Sequence, residues 1–267
     1  MYLPKRVHAV KIRYREQVLR KLPHGRFGMY KGKKCVYISY LPGKANVTGR
    51  TQVRHFLDSA KGREYAPLIK RYLTVKAEFD KLLADWRADY ASDPPMVKFP
   101  IVQTFDPHHL NNEFFRDTEA NTNTKKNDHP VYSDDDVLRS KNEQFGKGIF
   151  KKLGIPYKYE AALAVNNPAG YVPDYLLSFY EIDRCIYAEI CGMSDDYDYS
   201  TTIAKKLSFY SRNQYRPGRE IVYGFMYDKY NFDEEYFAWQ ILSAFDTLIP
   251  ESALDWENCM PPKITGE

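Results

Sequence analysis

The sequence has few cysteines and no long apolar run, and each shortage removes a class of protein. Four cysteines, at positions 35, 185, 191 and 259, form no C-x-x-C pair and no Cys/His cluster at zinc-finger spacing. That spacing argues against a disulfide scaffold or a structural zinc, and a reducing, cytoplasmic setting is expected. No uncharged apolar stretch reaches the roughly 18 residues a membrane span needs. The opening MYLPKRVHAVKIRYREQ has no apolar segment between its basic residues and a small-residue cleavage site, so neither membrane insertion nor export is expected. With 43% hydrophobic residues in 267, the chain can still bury a core of ordinary size, as one large domain or two small ones.

Charge is plentiful and unevenly placed. Residues 1–95 hold 21 Lys and Arg against 8 Asp and Glu, whereas the remainder holds 18 against 27. A basic half interleaved with tyrosines suits nucleic acid, because Lys and Arg displace counterions from phosphates and aromatic rings stack on bases. A solvated basic surface is the plainer alternative. The candidate nucleic-acid contacts are Lys5, Arg6, Lys11, Arg13 and Arg15 near the start, with Lys31, Lys33 and Lys34 further on.

Hydrophobic spacing sorts the chain into elements. Val7, Val10, Tyr14, Val18 and Leu22 recur at three and four, which predicts an amphipathic helix with a basic polar side. RFGMYKGKKCVYISYL reads as a hairpin about Lys31-Gly32-Lys33. A longer helix is expected in residues 64–90, with Leu68, Tyr72, Val75, Phe79, Leu82 and Trp86 as its buried stripe. SDPP at 92–95 ends it and marks a boundary. Residues 96–132 read as a linker, mobile over the polar run DTEANTNTKKNDHP, with His108, His109 and His129 as surface histidines. From 133 to 250 the order is helix, three strands, helix, strand, helix, with the first helix capped by Ser133 and ended by Gly154. That order describes an α+β fold, a mixed sheet covered by helices, followed by a tail at 251–267.

One carboxylate stands out in the third strand, RCIYAEICGM. Strand alternation sends Ile186, Ala188 and Ile190 to one face and Tyr187, Glu189 and Cys191 to the other. A hairpin with the preceding strand would bring Asp174 beside Glu189. Two close carboxylates repel and one protonates unless a cation intervenes, and oxygen-only ligation selects Mg²⁺ or Mn²⁺ over zinc. Glu143, on the preceding helix, is a third carboxylate, and its spacing from Arg139 and Lys147 also fits a surface ion-pair ladder.

RSKNEQFGKGIFKKLGIPYKYEAAL, GYVPDYLLSF, IYAEICGM and KKLSFYSRN, in that order, resemble the PD-(D/E)xK nuclease superfamily, in the branch whose third motif lacks the usual lysine. The resemblance covers roughly residues 135 to 228 and implies a restriction-endonuclease-like αβββαβ core. It implies a Mg²⁺ site whose acids match Glu143, Asp174 and Glu189 by position. Cys191 stands where the pattern has lysine, and a thiol cannot supply an ammonium's charge to the transition state. Members that relocate the basic residue carry it on the next helix, where Lys206, bordering the stripe of Ile203, Leu207 and Tyr210, is preferred over Lys205. The expected function is a metal-dependent DNA endonuclease, working alone or as the nuclease subunit of a larger DNA-processing or mobile-element machine with protein partners. The alternative is an inactive nuclease-fold protein that binds nucleic acid or regulates.

Overall fold

The computed structural model describes residues 3–39, 51–102, 105–125, 127, 130–134, 136–192, 197–226 and 232–256. The chain divides into two compact units, one comprising His8–Val97 with Leu254–Glu267 and the other Met1–Val7 with Lys98–Ala253. The division after Val97 falls two residues beyond SDPP.

In the first unit, α1 (Lys5–Lys21, contributing from His8 onward) forms where the three-four spacing predicts it. Its burial is wider than a stripe, since Ala9, Val10, Lys11, Ile12 and Arg15 are all buried. β1 (Gly25–Tyr30) and β2 (Lys33–Ser39) form the expected hairpin. Its two turn residues, Lys31 and Gly32, have φ of 47° and 74°, the left-handed pair whose twist suits a two-residue hairpin. β3 (Gln52–Phe56) pairs antiparallel with β2, a strand too short and polar to read from QVRHF alone.

α2 (Ala60–Asp89) starts at Ser59, whose hydroxyl accepts from the Gly62 amide at 3.0 Å. It covers one face of the three-stranded sheet. His24 stacks on Tyr72 at 4.9 Å and His55 on Tyr65 at 5.7 Å, and the missing side chain of Gly25 admits Ile69. The helix turns slightly from the expected stripe: Ile69 and Trp86 are buried, Tyr72, Val75, Phe79 and Leu82 are half-buried, and Leu68 is exposed. Two short strands, β4 (Met96–Val97) and β11 (Leu254–Asp255), pair antiparallel.

The second unit contains α3 (Asn112–Asp117), then a small hairpin of β5 (Val131–Ser133) and β6 (Asp136–Leu138). The hairpin corrects the expected helix start. Ser133 lies in β5, and α4 (Lys141–Leu153) begins instead at Ser140, whose hydroxyl accepts from the Glu143 amide. Both serines precede acidic residues, but only Ser140 has a glutamate three places on to complete a capping box. Val137 and Phe145, expected in the core, are exposed, while Ile149 and Phe150 are fully buried. Gly154 ends α4 with φ 62°. Residues 118–125 carry no regular structure yet are tied to the core rather than hanging loose. The amides of Asn121 and Thr122 donate to the carbonyls of Tyr159 and Glu160 at 2.9 Å each.

The main sheet has the order β10 (Ile221–Phe225), β9 (Arg184–Cys191), β8 (Tyr175–Phe179) and β7 (Tyr157–Tyr159), with β10 parallel to β9 and the other pairs antiparallel. α5 (Tyr197–Arg212) and α6 (Glu234–Thr247) complete an α+β arrangement. On one face Phe150 meets Tyr175 edge-on at 4.9 Å and Phe179 stacks on Phe245 at 4.4 Å. On the other, Leu176, Cys185 and Tyr187 pack with Leu110, Tyr210, Tyr215 and Ile221. Each of these buried apolar side chains contributes about 1.5–3 kcal/mol, so both faces hold β8 and β9 rigidly.

Candidate functional site

The register of β8 and β9 sets Tyr175 against Ala188, which places Asp174 opposite Glu189 on the face that α5 covers. Asp174 is clamped into line: its carbonyl accepts from the Glu160 amide at 2.8 Å and its Oδ2 from the Ile190 amide at 2.6 Å. Glu189 is 6% exposed. Its Oε1 takes the Lys206 ammonium in an ion pair, and its Oε2 accepts from the Tyr210 hydroxyl at 3.1 Å. Lys206 and Tyr210 lie one turn apart on α5, so one helix face supplies both partners.

Burial, and then the Glu189 charge, hold the Asp174 carboxyl well above the ordinary carboxylate range, with Lys206 opposing. Burial alone would push Lys206 down, but the negative charges of Glu189 and Asp174 outweigh it, and the ammonium is held above its ordinary value. Its ion pair with Glu189 presents Lys206 as a cation at the site. Burial, with Glu189 and Asp174, also pushes the Cys191 thiol up, so this sulfur is neutral and no nucleophile. The lysine absent from position 191 thus has a counterpart from α5 within electrostatic reach of the same thiol.

Glu143 is 7% exposed and heavily engaged. Its Oε1 accepts from the Ser140 hydroxyl at 3.1 Å, and its Oε2 from the Tyr159 hydroxyl at 2.6 Å and the Arg139 amide at 2.8 Å. Arg139 lies outside α4, so no Arg139-Glu143-Lys147 ladder exists. The Arg139 side chain reaches Glu160, and Lys147, 2% exposed, pairs with Asp136 at 2.8 Å. Glu143 still acts on Asp174 electrostatically, raising its pKa, and its own carboxyl is raised chiefly by burial. It belongs to the cluster but doubles as the cap of α4.

Sequence reasoning passed over Tyr159 and Glu160. Glu160 is 6% exposed, has φ 46°, and is held by Arg139 and by the Asn123 amide group at 2.7 Å. An acid directly after the short strand YKY was the available signal. Among the described residues, no three His, Cys, Asp or Glu side chains form a ready-made metal cage. The donor set nevertheless fits Mg²⁺ or Mn²⁺, which bind through one or two carboxylates and keep several waters. Asp174 and Glu189, set opposite each other by the strand register, are two hard-oxygen donors on one face of the sheet. His108 stacks on Tyr215 at 4.3 Å and His109 is exposed, while His129 and Cys259 lie outside the described residues.

The eight basic residues expected to meet nucleic acid separate into two groups. Arg6 binds Asp246 through two nitrogens, at 2.9 Å and 3.2 Å, and also Glu251. Arg13 binds the carbonyls of Pro94 and Pro95 and pairs with Glu16. Arg15 pairs with Glu78 at 2.8 Å, and Lys11 is 4% exposed. These four serve the interior because α1 is packed on most of its sides. Lys5, Lys31, Lys33 and Lys34 are exposed. No protein-family model, curated protein or solved structure matches the chain.

Proposed function

We propose that the protein is a metal-dependent endonuclease that hydrolyses DNA phosphodiester bonds in an αβββαβ, restriction-endonuclease-like core. The observation that carries this reading is the Lys206 ammonium paired to Glu189, directly across the strands from Asp174. A retained fold without catalysis would not require two desolvated carboxylates and a cation to converge at a sheet end. Asp174 and Glu189 would hold Mg²⁺ or Mn²⁺, with Glu143 reaching it through water, since three hydrogen bonds already occupy its oxygens. The ion, when bound, supplies charge neutralisation at the phosphoryl group and a lowered pKa for water. Lys206 contributes positive charge where negative charge develops in the transition state. Tyr210 fixes the Glu189 carboxylate, and the Ile190 amide fixes that of Asp174.

The test is cleavage of labelled single- and double-stranded DNA by purified protein in Mg²⁺, Mn²⁺ or EDTA, alongside Asp174→Asn and Glu189→Gln. Metal-dependent cleavage confined to the unaltered protein is expected. No cleavage with either metal, or equal cleavage by all three proteins, overturns the reading and favours a binding or regulatory role.

A further inference from the structure

We infer that the face of the β1–β2–β3 sheet opposite α2 is a nucleic-acid-binding surface, gripping the phosphodiester backbone through arginines seated on tyrosines. Strand register places Arg26, Tyr37 and Arg54 in one cross-strand row. Alternation puts Tyr30, Lys33 and Phe56 on the same face, opposite the face that carries Gly25, Val36 and His55 under α2. The Arg54 guanidinium lies 3.4 Å from the Tyr30 ring centre and 5.5 Å from that of Phe56, and Arg26 lies 4.5 Å from that of Tyr37. A guanidinium held over a ring keeps its N–H groups available for bidentate contact with phosphate.

The charge on the strands that build this face has one sign. Between Glu16 and Asp58 the sequence contains nine Lys and Arg and no acidic residue. Arg26, Lys31, Lys33 and Arg54 are exposed, in contrast to the internally paired Arg6, Arg13 and Arg15. Exposed like charges on one small sheet are a standing repulsion that a polyanion relieves, and the release of its counterions drives the binding. Acid-free chemistry with aromatic support fits a nucleic-acid strand better than an acidic polypeptide, which offers no bases for the outer guanidinium faces to stack on. The inference leans on the proposed nuclease reading only in choosing nucleic acid among polyanions.

The test is fluorescence anisotropy of the full chain in EDTA, where cleavage cannot intervene. Labelled single strands and duplexes of about 25 nucleotides would be titrated at about 50 and about 200 mM KCl. Arg26→Gln/Arg54→Gln is compared with Lys31→Gln/Lys33→Gln, which keeps the stacks, and with Lys70→Gln/Lys81→Gln on the exposed surface of α2. Each sheet pair is expected to weaken binding about 10-fold at the lower salt and to reduce the log–log salt slope by about 1.4–1.8, with the α2 pair unchanged. Equal losses from all three pairs, or no loss from either sheet pair in protein of unaltered far-UV circular dichroism, overturn the inference. So does equally tight, equally Arg26- and Arg54-dependent binding of poly-L-glutamate. Binding that is lost while Asp174-dependent cleavage persists at saturating protein separates this surface from the cleavage site, and intact binding without any cleavage defeats the nuclease reading alone.

Discussion

Two charge clusters, one in each unit, are built in opposite ways. In the larger unit, Asp174, Glu189 and Lys206 are drawn out of water and answered by one another. In the smaller, Arg26, Arg54, Lys31 and Lys33 stay in water and rest on aromatic rings. Desolvation magnifies each interaction in the first set, so removing one member disturbs the others. Solvent and salt screen the second set, so its members act singly and weakly. Buried charges are suited to chemistry and exposed ones to a sequence-tolerant grip.

The comparison breaks most forcibly at Arg184, fully buried with Glu220 and also paired to Asp106. Arg184→Met leaves Glu220 buried with only Arg216, and is expected to cost about 3–5 kcal/mol in urea unfolding. A loss below about 1 kcal/mol, the value of exposed pairs, would mean that burial adds nothing to this pair. Next in size, Asp174→Asn and Glu189→Gln should each lower cleavage about 10³-fold, roughly 4 kcal/mol of transition-state stabilisation, in protein that remains folded. Lys206→Ala should lower it about 10²–10³-fold. Loss in kcat with KM unchanged would place its charge in the transition state, whereas a change in KM alone would reduce Lys206 to a binding contact.

Acid titration sharpens the contrast further. Because the folded-state pKa of Asp174 is raised above 3.8, the folded protein binds that proton more tightly than the unfolded chain. Its stabilising contribution is complete below the ordinary carboxylate value and is lost as pH rises through the folded value. In EDTA the melting temperature of wild type should therefore drop relative to that of Asp174→Asn across that window. Saturating Mg²⁺ should raise it most at the upper end. A melting curve indifferent to both the substitution and Mg²⁺ would mean the carboxylates share no site. The sheet arginines mark the small end of the scale, where each contact moves the salt slope by less than one unit.

Much of this was legible in the chain. Alternation in RCIYAEIC assigns Glu189 and Cys191 to one face, the three-four spacing of α5 puts Lys206 beside its apolar stripe, of which Tyr210 is buried and Ile203 and Leu207 half-buried, and Gly154 closes α4, because each depends on local backbone geometry alone. The sequence marks Glu143 as a candidate ligand but not as a capping group, since its partners Tyr159 and Arg139 come from outside its helix. Ser133 misled because a cap signal is local whereas the β5–β6 hairpin that displaced it depends on pairing.

By itself the sequence determined the α+β order of elements, the two carboxylates at the strand pair, and the charge asymmetry between the halves. Tertiary structure decided which charges are used inside. No periodicity distinguishes Arg15, itself buried and paired to Glu78, from Arg54, exposed over Tyr30. The reason is that desolvation is a property of everything packed around a side chain, and those neighbours arrive from segments tens of residues away.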